Sequence, residues 1–144
     1  MAPRTHRAAI SAVFQDYAQY HLTLRENIGF CHVARLEDKE AIQRAAELGG
    51  AADVAADLPH GYETYLGATF GGQDLSGGQW QRTATSRAWM REALLVVLDE
   101  PTAALDPRAE YEVYRRFQEM AGRRTALLIS YRIGFARLAD RILV

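Results

Sequence analysis

The sequence predicts an α/β protein, a parallel sheet with helices packed against it. Two apolar runs carry most of that reading. Ala93 to Leu98 is unbroken and rich in Leu and Val, the pattern of a strand buried on both faces of a parallel sheet. Thr125-Ala126-Leu127-Leu128-Ile129 reads as another buried strand. A third observation is that the segments around these runs carry helix-start and helix-stop chemistry.

In chain order, Ala8 to Phe14 reads as a short first strand ending at Gln15-Asp16. Thr23-Leu24-Arg25-Glu26 is a capping-box pattern that starts a short helix through Ile28. Asp38 caps a helix to about Leu48, with Ala41, Ile42, Ala45 and Leu48 on one face, and Gly49-Gly50 ends it. Ala51 to Leu58 is a second short helical piece, and Pro59-His60-Gly61-Tyr62 is a turn. Ser76 is a good N-cap, and Gln79 to Met90 suits a helix in which Trp80 and Trp89 are packing residues. Pro101 stops the strand that ends at Leu98-Asp99-Glu100. Pro107, at the first helical position after Asp106, starts a helix through about Met120 that Gly122 closes. The strand Thr125–Ile129 runs out in Ser130-Tyr131-Arg132. Ile133 to Asp140 reads as a last helix, and Arg141-Ile142-Leu143-Val144 as the beginning of a strand.

The 144 residues suffice for one modest domain. A net charge of −1 gives no electrostatic case for nucleic acid or for an anionic membrane surface. The single cysteine, Cys31, allows no internal disulfide; it reads as a small buried or half-buried thiol and points to an intracellular setting. No apolar run approaches the roughly 18 residues of a membrane span. His6, His21, His32 and His60 are scattered and lack metal-ligand spacing. Of the 17 basic residues only Lys39 is a lysine, and it has no glycine near it. A phosphate-binding P-loop needs Gly-x-x-x-x-Gly-Lys-[Ser/Thr], so these residues contain none.

Two stretches carry chemistry. Asp99 and Glu100 follow a strand directly, where open α/β sheets bind ligands. Adjacent strand residues point opposite ways, so the two carboxylates divide the work. One can hold a hard cation such as Mg²⁺, and the other can orient or deprotonate a water. Leu75-Ser76-Gly77-Gly78-Gln79 puts a hydroxyl and free N–H groups at a helix N-terminus, an anion site suited to phosphate. By itself the Ser-Gly-Gly reads better as an ordinary capped helix after a glycine turn.

Taken together, Leu75–Gln79 with Gln81-Arg82, then Leu98-Asp99-Glu100-Pro101, then Ala104-Leu105-Asp106 closely resemble the ATP-binding cassette (ABC) transporter nucleotide-binding domains. The match covers the signature motif, the Walker B motif and the D-loop, in that order. Val13-Phe14-Gln15-Asp16 resembles the Q-loop. Leu22 to Ile28 resembles the stretch after it in exporter-type cassettes, where the transmembrane partner docks. Thr64-Tyr65-Leu66-Gly67 with Gly71-Gly72 is similar to the exporter X-loop, except that Tyr65 stands at the usual acidic position. Ser130-Tyr131-Arg132 departs from the family's Ser-His-Arg, so Tyr131 replaces the switch histidine that contacts the γ-phosphate.

The resemblance implies a partial P-loop NTPase core with an inserted α-helical subdomain. About 1–17 and 88–144 would be the core, and about 18–87 the helical subdomain with the signature motif. The chain would be truncated at both ends, starting after the Walker A strand and helix and stopping before the closing helices. Glu100 would be the general base, Asp99 would hold Mg²⁺, and Gln15 would sense Mg²⁺ and the attacking water, all for ATP bound in cis. Ser76, Gly77, Gly78 and Gln79 would grip in trans the γ-phosphate held by a partner's P-loop, and Asp106 would communicate across that interface. The implied cofactors are ATP and Mg²⁺. The implied partners are a second nucleotide-binding domain, identical or different, and the transmembrane domains of an exporter, with no nucleic acid. The implied location is the cytoplasmic face of the plasma membrane, peripheral through those domains.

Three functions compete. The first is the ATP-hydrolysing cassette of an exporter, inactive alone for want of the P-loop. The second is a non-catalytic partner that donates its signature motif to a competent ATPase subunit, which Tyr131 favours. The third is a DNA-repair or chromosome-maintenance ATPase, against which stand the exporter-like helical stretch and the lack of coiled-coil heptads. The sheet edges and helix-packing face left uncovered by the missing strands predict aggregation of the isolated chain. Sedimentation and thermal melting check this, and a sharp cooperative melt of a clean monomer contradicts it.

Overall fold

The computed structural model describes residues 9–100, 106–121, 124–131 and 139–143. Three strands, β1 (Ile10–Val13), β2 (Leu95–Asp99) and β3 (Thr125–Ile129), form a parallel sheet in the order β1-β2-β3. Between β1 and β2 lie four helices: α1 (Leu24–Gly29), α2 (Lys39–Gly49), α3 (Ala51–Asp57) and α4 (Gly77–Trp89). Three short 3₁₀ turns, Phe30–Arg35, Gly61–Glu63 and Ala68–Phe70, interrupt the connections. Helix α5 (Pro107–Ala121) crosses from β2 to β3. Among the described residues no helix is long and apolar enough to cross a membrane.

The helix starts follow local chemistry. At α1 the Glu26 N–H donates to Thr23 Oγ1 at 3.1 Å, and the Thr23 N–H donates to Glu26 Oε2 at 2.8 Å. Those bonds from Thr23 hold the Glu26 carboxyl below the usual carboxylate range. The stabilisation they lend is present above that range and is lost as pH falls through the lowered value. Asp38 caps α2 by accepting from the Ala41 N–H at 3.0 Å. Gly50, left-handed with φ 89°, ends α2.

One apolar cluster joins the sheet to the helices. Val96 and Leu98 point from β2 into it, beside Trp89 of α4 and Phe117 of α5, whose rings meet edge to face at 6.5 Å. Leu24 and Ile28 of α1, Ile42 of α2 and Val54 of α3 complete it on the helical side. Each fully buried aliphatic side chain contributes on the order of 2 kcal/mol. Helices α2 and α4 meet closely because Gly49 has no Cβ, which would overlap Ser86.

The strand expectations need correction. β2 is buried on one face only: Leu95, Val97 and Asp99 are half-exposed between buried Val96 and Leu98. β3 is not a buried strand, since Leu127 and Ile129 are each 44% exposed. The reason is common to both. Helices α4 and α5 cover one sheet face, and no described element covers the other, where Ile10, Ala12, Leu127 and Ile129 stand exposed. Residues 141–143 form no strand, and the residues before them, Ala139 and Asp140, are not helical. The rest of the expected last helix, and Gly122, lie outside the described residues.

A buried cation pins the helical region together. Arg87 of α4 is 7% exposed and, among the described residues, donates only to uncharged groups: to Asn27 O at 2.9 Å, to Asn27 Oδ1 at 2.7 Å and to Ala18 O at 2.6 Å. The Tyr20 ring lies 4.8 Å from its guanidinium carbon. Burial pulls the Arg87 guanidinium below its usual range. Asn27, itself 0% exposed, donates onward to the carbonyls of Tyr20, Leu22 and Thr23. Asn27→Leu strips one partner from a buried cation and three from buried carbonyls. It is expected to lower unfolding stability by about 3 kcal/mol or more, read by pulse proteolysis of dilute protein.

Candidate functional site

The parallel register gathers the expected residues along one edge of the sheet. Val13 pairs with Leu98, and Asp99 with Ile129. Gln15 thus lies two residues beyond β1, Asp99 ends β2, Glu100 follows it, and Tyr131 lies two residues beyond β3. All four stand at the carboxyl edge, where open α/β sheets bind ligands.

The backbone separates the two carboxylates. Asp99 remains in the strand, half-exposed on the sheet's open face. Glu100 leaves it with φ 49°, alone among the described non-glycine residues in the left-handed region. That conformation costs roughly 1–2 kcal/mol. Three hydrogen bonds hold Glu100 there. Its N–H donates to Ile129 O at 3.0 Å, its carbonyl accepts from Gln81 Nε2 at 3.3 Å, and its Oε1 accepts from the Tyr131 N–H at 3.1 Å. So it is the backbone of residue 131 that meets the carboxylate, while Tyr131 as a whole is 92% exposed.

The second stretch is the start of α4. The Gln79 N–H donates to Ser76 Oγ at 3.3 Å, and the Ser76 N–H donates to Gln79 Oε1 at 2.9 Å, a full capping box. Ser76 and Gly77 are exposed, and Gly78 and Gln79 half-buried. The N–H groups of Gly77 and Gly78 have no acceptor within the helix, and the helix dipole adds positive potential at this end. An exposed phosphate oxygen fits such an end.

Two contacts the sequence reading did not foresee tie this stretch to the sheet edge. Tyr17, just after Gln15, donates its hydroxyl to Gly77 O at 3.0 Å. Gln81, one turn into α4, reaches the Glu100 carbonyl. Nothing in the sequence marks either, because each acts on a backbone carbonyl 19 or more residues away. Gln15 itself is exposed, and no hydrogen bond joins it to Asp99, Glu100 or Tyr131 among the described residues. Asp106 caps α5, accepting from the Arg108 N–H at 3.0 Å. Pro101, Ala104 and Leu105 lie outside the described residues. No group of three or more His, Cys, Asp and Glu suited to a metal ion occurs among the described residues. A cation at Asp99 would therefore draw most of its oxygens from phosphate and water, as Mg²⁺ does at nucleotide sites.

A third strip borders the site. Thr64 O accepts from the Leu24 N–H and Leu22 O from the Leu66 N–H, each at 3.0 Å, so the 64–66 stretch lies antiparallel against 22–24. Arg25 of α1 spans to Glu63 at 2.9 Å and to Glu37 at 3.0 Å.

Comparison with known proteins bears on this geometry. Residues 2–103 match the family model described as ABC transporter. The subtilin transport ATP-binding protein SpaT of Bacillus subtilis is 41% identical over 136 residues, 94% of this chain and 22% of that protein. The nisin transport ATP-binding protein NisT of Lactococcus lactis subsp. lactis is 36% identical and covers 100% of this chain and 24% of its own length. The chain thus spans roughly a quarter of these relatives. A solved bacterial Atm1-family ABC exporter with ATP bound superposes on 93% of the chain with a TM-score of 0.77 at 31% identity; the match is 22% of that structure's chain.

Loss of the capping hydroxyl in Ser76→Ala is expected to cost about 1 kcal/mol. Faster amide exchange should be confined to the first turn of α4, and Ser76→Thr should retain most of the protection.

Proposed function

This chain belongs to the ABC transporter family of ATP-binding cassettes, and on that premise we propose that it is part of the ATP-binding, ATP-hydrolysing cassette that drives transmembrane export. The observation that carries the reading is the pairing of an exposed, capped Ser76-Gly77-Gly78 helix start with the Asp99-Glu100 pair at the sheet's carboxyl edge, the two joined through Gln81. Residues 1–17 and 88–144 would contribute to the ATPase core, and 18–87 would form the helical subdomain. That division is supported by the sheet drawing all its strands from the first two stretches and by α1 to α3 packing beside α4.

The residues divide into two functions. For nucleotide in cis, Glu100 accepts the proton of the attacking water and Gln15 orients that water. Asp99, with Gln15 beside it, provides protein oxygens for Mg²⁺, which when bound neutralises phosphate charge. For nucleotide on a facing cassette, Ser76, Gly77, Gly78 and Gln79 donate to the γ-phosphate, and Asp106 relays the state of the interface. Tyr131 can donate one hydrogen bond where the family's histidine acts, but it cannot become cationic.

The partners are a second nucleotide-binding domain, of the same or another kind, and the transmembrane domains of an exporter. The stretch from Leu22 to Ile28 would lie where those domains dock, and they would hold the cassette at the cytoplasmic face of the plasma membrane. The nearby subtilin and nisin transport relatives support an export role. A second reading, a non-catalytic cassette that only donates its signature, is favoured by Tyr131.

These 144 residues hold no P-loop, and each preorganised donor removed from a charged transition state costs roughly 10²–10³ in rate. The purified chain is expected to bind Mg-ATP weakly and to show no turnover that Glu100→Gln abolishes. A Mg-ATP titration with that variant alongside checks this; saturable binding at micromolar ATP contradicts it.

A further inference from the structure

We propose that Gln81 is the positioning residue for Glu100, holding that residue's backbone in its left-handed conformation from α4, and that its amide is kept for the site and not for the fold. The proposal rests on the reading of Glu100 as the water-activating carboxylate.

Gln81 is 4% exposed. Its Nε2 donates to the Glu100 carbonyl at 3.3 Å, while its Oε1 is buried without a hydrogen-bond partner among the described residues. A buried acceptor left unpaired destabilises a protein, and an apolar side chain of similar length avoids that cost. Packing of α4 therefore gives no reason for an amide at this position. The site does. The one hydrogen bond that the Gln81 side chain makes among the described residues is to the carbonyl of the only described non-glycine residue with a positive φ. Such conformations persist where several contacts over-determine them.

The contacts on Glu100 come from two sides. From β3, Ile129 O accepts its N–H and the Tyr131 N–H reaches its carboxylate. From α4, Gln81 takes the carbonyl. Gln81 stands five residues after Ser76, on the same continuous helix. A displacement of α4 as its N-terminus meets phosphate is thereby passed to the peptide that aims Glu100. Of the other buried unpaired groups, Trp89 Nε1 lies among Leu98 and Phe117 and touches nothing in the site.

Gln81→Met separates fold from site. Resistance of the dilute protein to pulse proteolysis should be unchanged or higher, because the unpaired acceptor is gone. In dilute ¹⁵N-labelled protein, amide exchange at Glu100 and Tyr131 should quicken about 10-fold or more, with Val96 and Leu98 unaffected. Where a P-loop is supplied so that ATP lies in cis to Glu100, kcat should fall about 10- to 100-fold with KM for ATP retained. Unchanged exchange at both amides overturns the proposal. Where Gln81→Met does not fold, Gln81→Glu serves. Its carboxylate has no proton to donate at neutral pH and regains one on acidification. Exchange should then be fast at neutral pH and approach the unsubstituted protein's rate, at matched pH, as the pH falls; identical rates throughout overturn the proposal. Quickened exchange with no turnover in any assembly supports the positioning role and counts only against the catalytic reading of Glu100.

Discussion

The structure depends most on a guanidinium that has no counter-ion among the described residues. Arg87 sits inside the helical region and is satisfied by carbonyl oxygens of Ala18 and Asn27, by the Asn27 side chain and by the Tyr20 ring. A buried charge of this kind is tolerable only while every donor stays engaged. It therefore fixes three stretches at once: the segment just beyond Gln15, helix α1, and the C-terminal part of α4. Asn27 extends the constraint to Tyr20, Leu22 and Thr23. The strip that pairs with residues 64–66 is thereby tied to the helix whose other end presents Ser76 and Gly77.

That helix is a rigid link between two chemistries. Its N-terminus offers hydroxyl and N–H groups to an anion, and its first turns hold the Glu100 peptide through Gln81. Ser11 anchors it to the sheet by donating to Ala88 O at 2.9 Å. Three of its hydroxyls, on Thr83, Thr85 and Ser86, bond back to carbonyls one turn earlier, so these three are buried without being left unpaired.

What was legible in the sequence was local. The capping box at Thr23, the caps at Ser76 and Asp38 and the stop at Gly49-Gly50 act within three or four residues, and each falls where expected. β3 matches its expected span because an apolar run bounded by polar residues has few alternatives. Burial was not legible, because it depends on what other segments cover. The runs in β2 and β3 look alike whether both sheet faces are packed or one, and here Leu127 and Ile129 stand exposed. The motif residues Gln15, Asp99, Glu100 and Tyr131 were placed correctly at the strand ends by topology. The side chains that organise them, Tyr17, Gln81 and Arg87, were not assigned those tasks, since an arginine or glutamine on a helix is ordinarily solvent-facing and their partners are distant carbonyls.

The account's central claim is that α4 presents a phosphate-gripping half-site to a facing cassette. Its most direct test is association of this chain with a P-loop-bearing cassette whose own hydrolysis is blocked, followed by analytical ultracentrifugation with and without Mg-ATP. The claim predicts association that requires Mg-ATP and is lost in Gly77→Glu, which sets a carboxylate against the phosphate, while Tyr131→Phe leaves it intact. Association that is independent of nucleotide, or that survives Gly77→Glu, would contradict it.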